Sequence, residues 1–356
     1  MRTTGPTVHQ VADLAGVSIA TVSRVVRGIG PVSESTRRKV EAAIAELDYR
    51  PSHLGQALVN RRHGTLAIVF PGLSGPYYSE VIHGYERRAI EANMSLLILG
   101  AGDQAQIERL TLDLADRADG LAILGSTLSD GLILRLAQRS TPLVTVARTP
   151  LPGISNVRVN NSATTRELVT HLIVEHGCRS LEYIGSTADS SDGADRWRGF
   201  LDACTEADVP APPAPFDPAW NQQSGAWAGT RLLRRPPLPD AIVCGSDEIA
   251  TGVLSALASR KVRVPADVLV TGWDDGPSAR YMHPPLTTVH QPAEELGYES
   301  ATQLLRRLDH RGDSEHDQIL PTQLVIRASC GCSYDPKQDF QPFDRAEEVP
   351  MKCEPL

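Results

Sequence analysis

The chain has 356 residues, 41% hydrophobic and 22% charged, with a net charge of −8. That length exceeds one ordinary domain, and the composition excludes a fibrous or wholly disordered chain. No apolar run approaches the ~18 residues of a membrane span, and MRTTGPTVHQ lacks the apolar core of a secretory signal, so no membrane partner and a cytoplasmic setting are expected.

The charge is unevenly placed. Residues 1–62 hold nine Lys/Arg and five Asp/Glu, a net +4 that leaves −12 on the remainder. A small basic head on an acidic body is the footprint of a nucleic-acid reader joined to another module. Six scattered cysteines suit reduced thiols better than a disulfide framework. Only Cys330-Gly-Cys332 is a close pair, which by itself carries little weight for a metal. No metal ligand and no cofactor is assigned, and His83, His171 and His176 read as surface residues on helical patterns.

From the N-terminus, Val8, Val11, Ala12 and Ala15 follow helical spacing; Thr7 caps that helix and Gly16 ends it. Ser18 caps a second helix on which Ile19, Val22, Val25 and Val26 recur at three- and four-residue steps. A third begins at Ser33 or Ser35, with Val40, Ala43, Ile44 and Leu47 on its buried face. Two short helices around a glycine turn form a helix-turn-helix, whose second helix enters the major groove. Ile19 and Ala20 stand at the front of that helix, and Arg24, one turn on, reaches guanine O6/N7 with two hydrogen bonds. Ser18, Thr21 and Ser23 are short donors for phosphate oxygens.

Arg50-Pro51 ends the head, and HLGQALVN follows as a short capped stretch. From Gly64 the chain alternates. TLAIVFP, SLLILG, GLAILG and PLVTVA read as buried strands, with helices at Tyr77–Ala92, Gln104–Arg117 and Leu132–Arg139 between them. The pattern restarts after Asn160: helix Ser162–His176, LEYIGS, helix Ala194–Glu206, a proline-rich loop, helix Gly225–Arg234, AIVCGS, helix Glu248–Arg260 and VLVTGWDD. Alternating β and α means parallel sheets covered on both faces. Two such halves emerge, and PLTTVHQP and QLVIRAS suggest crossings between them. Doubly wound sheets bind ligands at the carboxyl ends of their strands, so two lobes can share one cleft.

VHQVADLAGVSIATVSRVV followed by VSESTRRKVEAAIAELDYRPS, from about Thr7 to Ser52, resembles the DNA-binding head of the LacI/GalR family of bacterial repressors. From about Thr65 to Ser329, including LPTQLVIRAS, the body resembles that family's periplasmic-binding-protein-like ligand domain. The fold class implied is α/β, with an N-terminal three-helix head and a two-lobed body of doubly wound parallel sheets. Its parts are a head at 1–51, a hinge at 52–63 and a body at 64–330. One lobe takes about 64–160 with 290–320, the other 161–289 with 320–330. A disordered tail is expected at 331–356.

By position, the resemblance places base contacts on Ile19, Ala20, Arg24 and Arg27. Phosphate contacts fall on Thr7, Ser18, Thr21, Ser23, Val32 through its backbone, Ser33, Thr36 and Tyr49. Leu58 becomes an apolar wedge for the minor groove, although Gly55, where alanine is usual, lowers helix propensity by about 1 kcal/mol. Effector contacts fall on Ser74, Tyr77, Tyr78, Ser126 and Asn161 from the first part of the body. Arg196, Trp220, Ser246, Asp274 and Gln291 complete them. An indole face on a pyranose and charged bonds to vicinal hydroxyls suit a sugar. Two departures stand out: Ala147-Arg148 lacks the aspartate many relatives carry, and TADSSDGAD is acidic where purine-binding relatives are basic, which disfavours an anionic effector.

The implied partners are a near-palindromic operator, a small-molecule effector and a second copy of the chain; no leucine-heptad tail points to a tetramer. The implied function is repression of carbohydrate-utilisation genes under allosteric control, the alternatives being a non-sugar metabolite or an activator. No nucleophile elbow, P-loop or GxGxxG is present, so no enzyme and no catalytic residue is expected. A transport module alone is opposed by the head.

Overall fold

The structure, a computed structural model, describes residues 6–49, 63–72, 75–100, 104–139, 141–188, 190–309 and 316–336. The expected hinge with Leu58, the effector candidate Ser74 and residues 337–356 of the expected tail lie outside the described residues, apart from His63 at the hinge's end.

The chain divides into two units, one holding the head and one the body. In the head, α1 (Val8–Ala15), α2 (Ile19–Arg27) and α3 (Glu34–Glu46) each begin at a hydroxyl cap: Thr7, Ser18 and Ser33 accept from the backbone N–H three residues on. Each cap satisfies a donor the helix cannot. Gly16 adopts φ 64°, a left-handed turn that an alanine would strain, and its N–H closes back on Ala12 and Asp13. Val11, Ala12, Val22, Val25, Val40 and Ala43 bury the common core.

The first lobe of the body carries a six-stranded sheet in the order β10-β5-β4-β3-β1-β2. Its strands are β1 (Thr65–Phe70), β2 (Ser95–Gly100), β3 (Gly120–Leu124), β4 (Leu143–Val146), β5 (Ser155–Val159) and β10 (Asp317–Leu320). Pairings β1–β3, β3–β4, β4–β5 and β5–β10 are parallel. Its helices are α4 (Pro76–Glu91), α5 (Gln104–Ala115), α6 (Asp130–Gln138) and the late α11 (Ala293–Asp309), which packs on β3, β4 and β5. The second lobe holds a parallel sheet β6-β7-β8 (Leu181–Ile184, Ala241–Cys244, Leu269–Thr271) with α7 (Asn161–Glu175), α8 (Ser191–Glu206), α9 (Gln222–Leu232) and α10 (Asp247–Ser259). A short antiparallel pair, β9 (Thr288–His290) with β11 (Gln323–Val325), lies along the crossing segments.

Three helix pairs meet at glycines. A Cβ on Gly84 of α4 would lie 1.8 Å from the Glu294 carbonyl of α11, and one on Gly297 would lie 2.0 Å from the Val81 carbonyl. Gly199 of α8 sits likewise against Ser162 of α7, and Gly252 of α10 against Gln222 of α9.

β5, α11 and β10 have no counterpart in the elements read from the sequence. β5 evades the apolar criterion because its buried positions include Ser155 and Asn156. Asn156 is satisfied inside the sheet by donating to the Arg148 carbonyl and Asp317. The tail expected to be disordered from 331 is placed as far as Pro336, and Cys332 packs on the second lobe's core. His171 and His176, read as surface residues, are half-buried.

Candidate functional site

On the head, Ile19, Ala20 and Arg24 are exposed on one helix, α2. Gly30 lies under the Arg24 side chain, where a Cβ would be 3.7 Å from its Cδ. Arg27 ends the same helix. The hydroxyls assigned to phosphates cluster at helix starts. Ser18 Oγ lies 2.9 Å from Thr21 Oγ1 and accepts from the Thr21 N–H, and Ser33 does the same with Thr36 at 2.8 Å. A capping hydroxyl uses one of its two lone pairs on the helix, and in each hydroxyl pair one proton is left over that can donate to a phosphate while the helix N-terminus supplies positive potential. Thr7 caps α1 in the same way. Ser23 is half-exposed, and Val32 and Tyr49 are half-buried against the head's core.

In the body, a cavity of about 770 Å3 lies between the lobes, within the usual range for small-ligand sites. The carboxyl ends of β1, β3 and β4 supply Pro71, Gly125, Ser126 and Ala147, while those of β6, β7 and β8 supply Ser186, Ser246 and Asp274. Tyr77, Tyr78, Arg196, Trp220 and Gln291 complete the set of expected residues on its wall.

Arg196, 5% exposed, is the fixed centre. Its Nε donates to Asn161 Oδ1 at 2.8 Å, one terminal nitrogen to the Gly245 carbonyl at 2.6 Å and the other to Gln291 Oε1 at 3.4 Å. Three of five N–H donors are thereby used, leaving two for a ligand. Asn161 is therefore placed behind Arg196 rather than on the cavity wall. The guanidinium carbon lies 4.4 Å from the Trp273 ring centre and 5.8 Å from that of Trp220. Trp220 lies against Gly193 and Gly245, where any side chain would displace it. Tyr77 and Tyr78 meet edge to face at 5.3 Å, and the buried Tyr77 hydroxyl has no partner among the described residues. Gln291 Nε2 donates to Asp274 Oδ1 at 2.6 Å. Ser246 caps α10 by accepting from the Ile249 N–H.

Among the described residues, six carboxyls line the cavity against this one guanidinium: Glu80, Asp192, Asp217, Asp247, Glu248 and Asp274. Burial raises the Asp274 carboxyl well above its ordinary value, with Arg196 opposing, and raises Asp192 with the same opposition. Burial also lifts both tyrosine hydroxyls, Tyr78 to about 12. Glu80, Asp217 and Glu248 were not singled out in the sequence; they sit on helices and loops where a surface carboxylate looks the same. Arg148, in contrast, is structural: it is 8% exposed and donates to the carbonyls of Gly125 and Leu128 and to Asp130.

Asp247 braces the cavity from beneath. It accepts from Thr288 Oγ1 at 2.6 Å and the Gly276 N–H at 2.8 Å. Burial lifts its carboxyl to about 7 from 3.8, and those two hydrogen bonds hold it down. The folded state then binds this proton more tightly than the unfolded chain, so its stabilising contribution falls as pH rises from about 4 through about 7. Asp247→Asn keeps the shape and removes the titration. The excess melting temperature of the wild type over the variant is expected to shrink between about pH 5.5 and pH 8. A gap that stays constant or widens contradicts the assignment.

Residues 7–52 match the family described as bacterial regulatory proteins, lacI family, and residues 169–330 a periplasmic binding protein-like domain. The ribose operon repressor of Escherichia coli (strain K12) is 34% identical over 307 residues, 85% of this chain and 93% of that one. A solved complex of the transcriptional regulator CelR with cellobiose is 31% identical, with a TM-score of 0.70 over 91% of this chain and 99% of that one. The Lac repressor dimer bound to operator and the anti-inducer ONPF is 28% identical, with a TM-score of 0.84 over 92% and 99%. Among the described residues, no helix is long and apolar enough to cross a membrane.

Proposed function

The chain belongs to the lacI family of bacterial regulatory proteins, and from that premise we propose that it is a repressor whose hold on operator DNA is set by a neutral, hydroxyl-rich effector, a sugar, in the interlobe cavity. The observation that carries the sugar reading is the pairing of Trp220 with Arg196 in a cavity lined by six carboxyls. An indole face packs on the C–H face of a pyranose, while carboxylates and a guanidinium bond vicinal hydroxyls from both sides. Among the described residues, an anion would meet six acidic groups and a single cation. CelR binds cellobiose in its solved complex, and the ribose operon repressor carries a sugar in its name.

On DNA, α2 lies in the major groove with Arg24 at a guanine and Ile19 and Ala20 at the thymine methyls. Ser18, Thr21, Ser33 and Thr36 hold phosphates at the helix starts. A homodimer presents two such helices to a near-palindromic site; the Lac repressor is bound to its operator as a dimer. A ligand touching both lobes closes the cleft and turns one lobe against its partner copy, so the segments at 52–63 lose register with the half-sites. The protein acts as a receptor rather than an enzyme, and in the cytoplasm, where its DNA is.

The test is a thermal-shift screen of the full chain with mono- and disaccharides, purine bases and small amines. A sugar at about 100 times its Kd stabilises the body by about 2.7 kcal/mol, a shift of about 5 °C. Trp220→Ala is expected to remove most of that shift. An unchanged shift in the variant would place the sugar elsewhere, and a response to amines alone would replace the ligand class with a cation.

A further inference from the structure

Outside the cavity, one side-chain cluster has a geometry that ordinary packing does not account for. His171, near the end of α7, and His176, just past it, face Cys330 and Cys332 across the second lobe. The four donor atoms lie within 4.8 Å of one another. Both imidazoles present Nε2, 3.3 Å apart. Cys332 Sγ lies 3.5 Å from His171 Nε2 and 3.3 Å from His176 Nε2, and Cys330 Sγ lies 3.7 Å from His171 Nε2.

The Cys330 thiol can donate to the Arg327 carbonyl at 3.3 Å, but hydrogen bonding cannot satisfy all the contacts among the four groups at once. His171 Nε2 offers one proton or one lone pair and faces three partners. A tetrahedral ion can. With Zn–N of about 2.0–2.1 Å and Zn–S of about 2.3 Å, tetrahedral edges come to about 3.3 Å for N–N and about 3.6 Å for S–N. The N–N separation and the three S–N separations given above fall within about 0.3 Å of these edges, and the two remaining pairs lie within 4.8 Å. We propose that His171, His176, Cys330 and Cys332 form a Cys2His2 zinc site.

The local chain is built for it. Cys330 closes a short 3-10 turn, Ala328–Cys330, and is fully buried. Gly331 follows at φ 94°, a left-handed turn that brings the next thiol back to the same side. A Cβ there would lie 3.5 Å from the His176 ring, in ordinary van der Waals contact, so it is the backbone angle and not space that calls for glycine. Two thiolates with two imidazoles in a tetrahedron select zinc over magnesium or calcium. All four positions belong to the protein, so the site is structural and offers no open position for chemistry. It fastens the end of α7 to the segment that follows β11. Asn161, at the opposite end of α7, holds Arg196. The zinc therefore anchors the helix that positions the cavity's arginine, about 20 Å away along its axis.

The test uses the full chain, made without a histidine tag and purified in reductant. Metal analysis by mass spectrometry is expected to give one zinc per chain. Cys332→Ser should retain less than about half of that, and Cys204→Ala, a buried cysteine elsewhere in the lobe, should retain it all. Cobalt(II) in place of zinc should show the intense visible bands of a tetrahedral thiolate site. Should Cys332→Ser not fold, a chelator on the wild type reads the same property: the melting temperature falls by about 5 °C or more and returns with zinc but not magnesium. Less than about half an equivalent in wild type after zinc supplementation, or an undiminished content in Cys332→Ser, overturns the proposal. So does a melting temperature indifferent to the chelator.

Discussion

Arg196→Lys is expected to abolish the response to the cavity ligand and to lower the stability of the body by about 2–3 kcal/mol, because a buried carbonyl and two buried amides lose a charged partner. The guanidinium reaches Asn161, Gly245 and Gln291 in three fixed directions at once. An ammonium is a single point and cannot reproduce that fork. The change also replaces the planar guanidinium near the Trp220 and Trp273 rings with a compact ammonium on a shorter stem, which moves positive charge away from the half-buried Asp192 and Asp274. Two lost charge-assisted bonds to the ligand, at about 1.5–3 kcal/mol each, correspond to a Kd at least about 100-fold higher. Calorimetric titration together with urea unfolding measures both effects. A Kd within about threefold of wild type would mean that Arg196 is not a ligand contact.

The largest effect on stability is expected from Gly297→Ala. Its Cβ would lie 2.0 Å from the Val81 carbonyl and 2.9 Å from the Tyr85 amide, both backbone atoms with no rotamer to give way. The reciprocal contact at Gly84, against Glu294 and Tyr298, fixes the same crossing from the other side. α4 and α11 would have to separate by an ångström or so, and interiors packed to crystal density do not absorb that without voids. Leu296, Ala301 and Leu304 of α11 would be drawn from the core they share with Val144, Val146 and Val157. A loss of about 3 kcal/mol or more is expected, beyond the usual range for one added methyl. Urea unfolding of the full chain reads it, and a midpoint unchanged from wild type would show that the helices can part at little cost.

What the sequence disclosed follows from how locally each feature is encoded. The three caps of the head are short-range devices, and Thr7, Ser18 and Ser33 are all placed as caps. The buried parallel strands stand out because TLAIVF and GLAIL are apolar after their first residues. β5 does not, since Asn156 is paid back by partners as distant as Asp317. The cavity's polar wall was legible where it follows a strand, as at Ser246 and Asp274. Glu80 and Glu248 were not, because a carboxylate on a helix gives no sign of facing a cleft. The histidines show the same limit. Cys330-Gly-Cys332 was visible as a pair, but His171 and His176 lie over 150 residues earlier, and only the fold of the second lobe brings them to it.

Operator binding by the intact protein, with and without the sugar that stabilises it, tests the central claim most directly. At one fixed low salt concentration, a near-palindromic fragment of its own genome should bind at least about 1,000-fold tighter than random duplex. Arg24→Ala should reduce that preference by about 1–3 kcal/mol. The sugar should change the operator affinity by about 5–150-fold, the span of ordinary allosteric coupling. Equal affinity for every duplex, or an operator affinity indifferent to a sugar that demonstrably fills the cavity, would contradict the account.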